Sequence, residues 1–291
     1  MAILAFAESR ILVHGISDPL ARFQCEEMIH HGTKLAGIVA VDPRELDGWT
    51  PPDVPVFQTA RAATASVRAN LSMVFSAPYA VKAEVCEAIV AGIGTIVCLT
   101  EHVPVHDAVV IRHLAKQAKV TLIGPNSSGV LSPGRAKAGF FVEDICVPGD
   151  VGVITKSGSL AYAVMAEMKS AGIGISTVVG IGGDAVKGTD FRDHIALFQD
   201  DPDTRAIVLL GEIGGSDEEN AAAFIRDAAI SKPMVAFVSG RSVPLGQSMG
   251  HAGAIAEHGR GDYQSKCAAL AAAGVRVARN IGEIPALLKR A

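Results

Sequence analysis

Short runs of consecutive apolar residues, each followed by a longer segment with helical spacing, recur along the whole chain, and this alternation limits what it can fold into. Arg10 to His14, Lys34 to Val39, Ser72 to Phe75, Thr95 to Leu99 and Val120 to Ile123 are strand-like in the first half. Val151 to Thr155, Ser176 to Val179, Ala206 to Leu210, Met234 to Val238 and Val275 to Val277 follow in the second. Between them, Pro19 to His31 reads as a helix, and Val81, Val85 and Ile89 mark one face of another. Residues 159–171, 190–199, 217–229 and 263–273 read as further helices. Runs apolar on both faces belong to strands covered on both sides, and parallel neighbours need helical crossovers. The pattern therefore predicts an α/β chain of parallel sheets. Residues 124–149 carry turn residues and no helical period, which reads as a linker. The 291 residues suffice for two domains, expected at 1–125 and 150–291 with a linker at 126–149.

Composition agrees with that class: 49% hydrophobic, 19% charged and 5% aromatic residues, with 30 glycines. A net charge of −4 offers no footprint for nucleic acid or an anionic membrane. No apolar run approaches the roughly 18–20 residues that cross a bilayer. The apolar start, Met1 to Ala7, lacks a basic segment and meets Glu8 and Arg10 too soon for a signal peptide, so it is expected to lead into the first strand. Cys25, Cys86, Cys98, Cys146 and Cys267 are scattered, odd in number and never C-x-x-C. This argues against a disulfide framework or a zinc site and suits small core residues in a reducing cytoplasm.

Chemistry-bearing residues cluster where strands end. Gly250-His-Ala-Gly-Ala-Ile255 follows the strand that ends near Gly240, so His251 is expected in a loop beyond the carboxyl edge of a sheet, where α/β proteins place their sites. A histidine among glycines is otherwise an ordinary loop residue. Gly211-Glu-Ile-Gly-Gly215 directly follows another strand, and Glu212 could hold one ring nitrogen of an imidazole and leave the other nucleophilic. The alternative is a solvated loop acid. Lys156-Ser-Gly-Ser-Leu160 joins a strand to a helix, and Ser157, Gly158 and Ser159 would offer an anion the helix N-terminus and two hydroxyls. A simple N-cap is the competing reading. Gly180-Ile-Gly-Gly-Asp184 supplies a further glycine loop, weak evidence alone. The chain has no G-x-x-x-x-G-K-[ST] loop for a nucleoside triphosphate.

Ser157-Gly-Ser-Leu, Gly180-Ile-Gly-Gly-Asp, Gly211-Glu-Ile-Gly-Gly-Ser and Gly250-His-Ala-Gly-Ala stand in the order and approximate spacing of the α subunit of succinyl-CoA synthetase. Gly32-Thr-Lys, Ala77-Pro-Tyr79, Thr100-Glu101 and Gly124-Pro-Asn126 extend the resemblance over nearly the whole chain. It implies a Rossmann-like domain that binds coenzyme A and a flavodoxin-like ligase domain. A separate ATP-grasp β subunit would bind ATP or GTP with Mg2+. His251 would be the phosphorylated histidine, Glu212 its partner, and Ser157, Gly158 and Ser159 the phosphate cradle. ATP would phosphorylate His251, a small carboxylate would take the phosphoryl group, and the CoA thiol would attack the acyl phosphate. The CoA site would involve Gly15, Ser17, Arg44, Ser76, Ala77, Pro78, Glu101, Asn126 and Ser127. No resident metal is implied, and the compartment would be the cytoplasm, or the mitochondrial matrix for a mature eukaryotic chain.

Departures from the family pattern fall on the CoA side. The glycine-rich first turn reads Gly15-Ile-Ser-Asp-Pro-Leu-Ala-Arg22, in which Asp18 adds negative charge and Pro19 removes an N–H. Val41-Asp-Pro-Arg-Glu45 replaces a Pro/Gly/Lys loop, with Arg44 in the place of a phosphate-binding lysine. Ser127-Ser128 stands where the family commonly has Cys-Pro. They leave open a non-catalytic CoA-binding or regulatory subunit. A nicotinamide-dependent oxidoreductase would need G-x-G-x-x-G after the first strand, which the chain lacks.

Overall fold

The structure, a computed structural model, describes residues 3–49, 51, 53–244, 246–248, 250–251, 253–255 and 261–290. Met1 and Ala2 of the apolar start and Ala252 of the histidine segment lie outside the described residues. The chain forms two compact units. One is Leu4–Phe141 with Val186–Gly188, and the other is built on Val142–Ala185 and Thr189–Ala291.

In chain order the first unit comprises β1 (Arg10–His14), α1 (Pro19–His30), β2 (Lys34–Val39), β3 (Val56–Phe57), α2 (Ala60–Ser66) and β4 (Leu71–Val74). It continues with α3 (Val81–Val90), β5 (Thr95–Cys98), α4 (Val105–Ala118), β6 (Thr121–Ile123), β7 (Gly129–Ser132) and β8 (Ala136–Gly139). Six parallel strands pair in the order β3-β2-β1-β4-β5-β6, the Rossmann order, whose topological switch lies between β1 and β4. Val81, Val85 and Ala88 of α3 and Ile111 and Ala115 of α4 pack with Val74, Ile96 and Leu122 of the strands. Burying such side chains contributes roughly 1.5–3 kcal/mol for each Val, Leu or Ile.

Sequence spacing did not reveal β3, α2, α4 or β7–β8. In α2 only Ala60 and Ala63 are buried, so no large apolar residue marks its inner face. In α4, Val105 and Val109 are exposed while Ala108, Ile111 and Ala115 are buried, which blurs the apolar stripe. The expected linker at 126–149 is corrected by the structure: β7 and β8 form an antiparallel hairpin with Gly129 opposite Gly139. Val130, Leu131, Ala138 and Phe141 are buried, and the Lys137 N–H donates to Thr33 Oγ1 at 3.0 Å. Tight turns rich in Gly, Pro and Ser disguise a segment that has core of its own.

The second unit comprises β9 (Pro148–Thr155), α5 (Gly158–Ser170), β10 (Ile175–Gly180), α6 (Phe191–Asp200) and β11 (Ala206–Glu212). It ends with α7 (Asp217–Asp227), β12 (Met234–Ser239), α8 (Tyr263–Ala272), β13 (Arg276–Val277) and α9 (Ile284–Lys289). Its parallel strands run β13-β12-β11-β9-β10, which in order of occurrence is 2-1-3-4-5, the flavodoxin-like order. The switch point lies between β9 and β11, so the turn after β9 and the end of β11 flank the crevice where such sheets bind ligands. Caps set the helix starts: Ser157 accepts from Leu160 N–H, Asp190 from Arg192 N–H and Asp262 from Ser265 N–H. Each cap is worth on the order of 1 kcal/mol. Cys25, Cys98 and Cys146 are buried, as expected of small core residues, whereas Cys86 and Cys267 are half-buried. Among the described residues no helix is long and apolar enough to cross a membrane.

Candidate active site

The end of β11 and the loop after β10, both at the carboxyl edge of the second sheet, meet His251. Glu212 is the last residue of β11, buried, and its Oε2 lies 2.7 Å from His251 Nδ1. The histidine side chain keeps 25% of its surface exposed against 5% for Glu212, so the carboxylate is shielded while the ring remains reachable. The histidine turn is pinned by Ala254 N–H and Ser248 Oγ, which donate to the His251 carbonyl at 3.0 and 3.2 Å, and by a bridge between Ser248 and Ile255. Gly214 N–H donates to Gly261 O at 2.7 Å and ties the loop after β11 to the end of the histidine loop.

Gly183, in the loop after β10, forms one wall against the ring. A Cβ there would come within 2.6 Å of His251 Cγ and Cδ2 and 2.7 Å of Nε2, so only glycine lets the imidazole lie so close. The hydrogen bond that His251 Nδ1–H donates to Glu212 raises the His251 pKa above its ordinary 6.5; burial and the charge of Lys156 oppose the rise, and Glu212's charge and Asp184 add to it. With Nδ1 engaged by a carboxylate, the neutral tautomer carries its proton on Nδ1 and presents a lone pair on Nε2.

After β9, Ser157 N-caps α5, and its Oγ lies 3.2 Å from Ser159 Oγ. The turn is held by Thr155 Oγ1, which donates to Ser157 O at 2.7 Å and accepts from Ser157 N–H at 3.0 Å. Ser157, Gly158 and Ser159 therefore stand at a helix start with two hydroxyls side by side, and the N-cap reading holds at the same time. Beneath them lies a group that sequence reading missed. Lys156, buried, reaches Asp217 at 3.1 Å and Glu218 at 3.0 Å. Lys266, fully buried, also pairs with Glu218 and lies 3.1 Å from Glu219. Burial works against the Lys156 charge, but Glu218, Asp217 and Glu212 more than offset it and raise its pKa.

The first sheet presents the other expected positions. Gly15 follows β1 with φ +79°, and a Cβ there would lie 2.3 Å from Ser76 N, so the loops after β1 and β4 meet only because position 15 is glycine. Ser76 is buried, with its hydroxyl on Glu84 and its carbonyl accepting Thr100 Oγ1 at 2.8 Å. Ala77 and Glu101 are exposed, and Pro78 is half-buried. Asn126, at φ +57°, bonds through its N–H to Thr100 O, and buried Ser127 accepts Gly129 N–H at 2.8 Å. Ser17 is exposed, and Asp18 caps α1 by accepting from Leu20 N–H at 2.8 Å. Arg44 is exposed and bound to Asp42, which itself caps the short helical turn Pro43–Leu46.

Glu84 gives this crevice a pH dependence. Burial pushes its carboxyl up from 4.5 to about 7, against the hydrogen bond from Ser76, with Glu45 and Glu87 adding to the rise. Between those values the folded chain holds a proton that the unfolded chain releases, so this group's contribution falls as pH rises through 4.5 to about 7. Glu84→Gln removes that loss and keeps an acceptor for Ser76. It is expected to raise stability at pH 8 by on the order of 2 kcal/mol and to change little at pH 4.5, as melting curves at the two pH values would show.

Residues 6–102 match the family model described as a CoA binding domain, and residues 154–276 match the one described as CoA-ligase. The subunit alpha 2 of an ADP-forming succinate–CoA ligase from Archaeoglobus fulgidus is 45% identical over 289 residues, 99% of each chain. The malate–CoA ligase subunit alpha of Methylorubrum extorquens is 41% identical over 259 residues, 88% of this chain and 86% of its own. The ATP citrate lyase of Methanothrix soehngenii, solved in complex with citrate and coenzyme A, aligns over 99% of this chain with a TM-score of 0.88 at 24% identity. This chain spans 50% of that longer one, and the likeness speaks for the fold. Two family models in sequence along one chain and near-full-length identity of 45% leave one assignment: the chain belongs to the family of CoA-ligase α subunits.

Proposed function

We propose that this chain is the α subunit of a nucleotide-dependent acid–CoA ligase in which His251 carries the phosphoryl group. The observation that carries the reading is the 2.7 Å contact between His251 Nδ1 and the shielded carboxylate of Glu212, which leaves Nε2 as the nucleophile. Nε2 takes the γ-phosphoryl group of ATP or GTP, and the nucleoside diphosphate leaves. An oxygen of the carboxylic acid then attacks phosphorus, forming an acyl phosphate and returning the imidazole. The CoA thiolate attacks the acyl carbon and expels inorganic phosphate. Ser157, Gly158 and Ser159 hold the phosphoryl oxygens through hydroxyls and the α5 dipole. An ATP-grasp β subunit supplies the nucleotide site with Mg2+, and the acid is a small carboxylate, with succinate and malate the first candidates from the relatives' names.

Coenzyme A lies along the carboxyl edge of the first sheet. Gly15, Ser76, Ala77 and Pro78 line the switch point, and Asn126 and Ser127 stand on the loop after β6. The residues fit a phosphate-bearing ligand only if its anionic end is met away from the start of α1, because Asp18 already takes the Leu20 N–H and Pro19 has none. Arg44, exposed beside Asp42, is the cation for that end.

Mixing the chain with its β subunit and γ-labelled ATP should give acid-labile label on this chain, lost in His251→Ala. Label that persists in His251→Ala overturns the assignment. An unlabelled wild type in a competent assembly would support a non-catalytic CoA-binding subunit. A panel of mono- and dicarboxylates, assayed for acyl-CoA formation, identifies the acid.

A further inference from the structure

The buried charges beneath the histidine are arranged around one carboxylate. Glu218 Oε1 accepts the backbone N–H of Glu212 at 3.1 Å and lies 3.0 Å from Lys156 Nζ, while Lys266 holds Oε2. Lys266 also donates to Gly215 O at 3.1 Å, within the loop that follows Glu212. Lys156 precedes Ser157, the cap of α5, and its Nζ stands 5.8 Å from the centre of the Phe191 ring. One carboxylate thus joins the turn after β9 to the end of β11, the two places where a phosphoryl group would be held and transferred. We propose that Lys156 is a positioning residue for His251: through Glu218 it fixes Glu212 at the end of β11, and its buried charge limits the negative potential beneath the imidazole.

Charge counting supports this. Glu212 from β11 and Asp184 from the loop after β10 act on the ring directly, and the acidic first turn of α7, Asp217, Glu218 and Glu219, adjoins Glu212 through the Glu218 carboxylate. Lys156 and Lys266 pair with that acidic turn, and Arg192 of α6 also feels the charge of Asp217. A phosphoryl acceptor must be neutral at Nε2, so excess negative charge would keep the ring protonated and idle. Lys156 lowers the His251 pKa against the pull of Glu212. A mere brace would change stability without moving the titration of His251, whereas the charge of Lys156 acts on both.

The inference rests on His251 being the acceptor, but its test needs neither nucleotide nor partner. The imidazole of His251 is titrated by NMR in the full, unphosphorylated chain and assigned by its loss in His251→Ala. Lys156→Met should move the midpoint up by about half a unit or more, and Lys156→Arg should leave it near wild type. Asp217→Asn, at a partly exposed position, should move it down by removing an anion and freeing Lys156 from a partner. In the assembled enzyme the acid limb of phosphorylation should follow the same displacements. An unmoved midpoint in folded Lys156→Met, or an unmoved or raised one in Asp217→Asn, overturns the proposal. If Lys156→Met does not fold, Asp217→Asn decides alone. Normal displacements without any phosphorylation would instead count against the phosphohistidine reading.

Discussion

Gly183→Ala should reduce phosphorylation of His251 by about 10²-fold or more while leaving the fold intact. The added methyl would sit within 2.7 Å of three ring atoms, closer than side-chain contacts allow, and the ring cannot retreat without leaving Glu212. Gly183 does not have the left-handed backbone that would penalise alanine on its own. The melting temperature should therefore stay close to wild type, while single-turnover labelling from ATP falls. An equal loss of stability and labelling would assign Gly183 to the fold. Normal labelling would mean that the ring does not work from this position.

Glu212→Gln should be the more severe change, about 10³-fold in the labelling rate at pH 8, because it alters the tautomer as well as the charge. A carboxylate can only accept from Nδ1, which keeps the Nε2 lone pair free. The amide of the variant can donate to Nδ1, which leaves the proton on Nε2 and blocks the nucleophile. The same replacement removes the hydrogen bond that raises the His251 pKa. The imidazolium therefore gives way at lower pH, and the acid limb of the residual rate shifts downward. Coenzyme A binding, measured by calorimetry, should be unchanged. A rate that is lost at every pH together with CoA affinity would make Glu212 a structural residue.

The pairing of Glu212 with His251 was legible because Glu212 ends one strand of a parallel sheet and His251 lies in a loop after another, and strand ends of such a sheet share an edge. The strand order was not, since apolar runs mark strands but carry no record of their neighbours. Gly180-Ile-Gly-Gly-Asp184 looked like any glycine loop, and only the packing of the imidazole on Gly183 shows why a side chain is excluded there. Lys156 and the Asp217-Glu218-Glu219 run resemble solvated charges at helix ends. The burial of Glu218 comes with the packing of α7 against α8, which places Lys266 on Glu218, a contact 48 residues apart in sequence. The hairpin β7–β8 was hidden for the opposite reason: its turns announce a loop, and its few core residues, among them Val130 and Leu131, are too short a run to announce strands.

His251 should carry phosphorus on Nε2 while Glu212 holds Nδ1. Phosphorus NMR of the chain, labelled by its assembled enzyme and digested under alkaline conditions, distinguishes the two phosphohistidine isomers against synthetic standards. The expected result is a single phosphohistidine, on the peptide containing His251, with the phosphoryl group on Nε2. Phosphorus on Nδ1, or on any residue other than His251, would contradict the account.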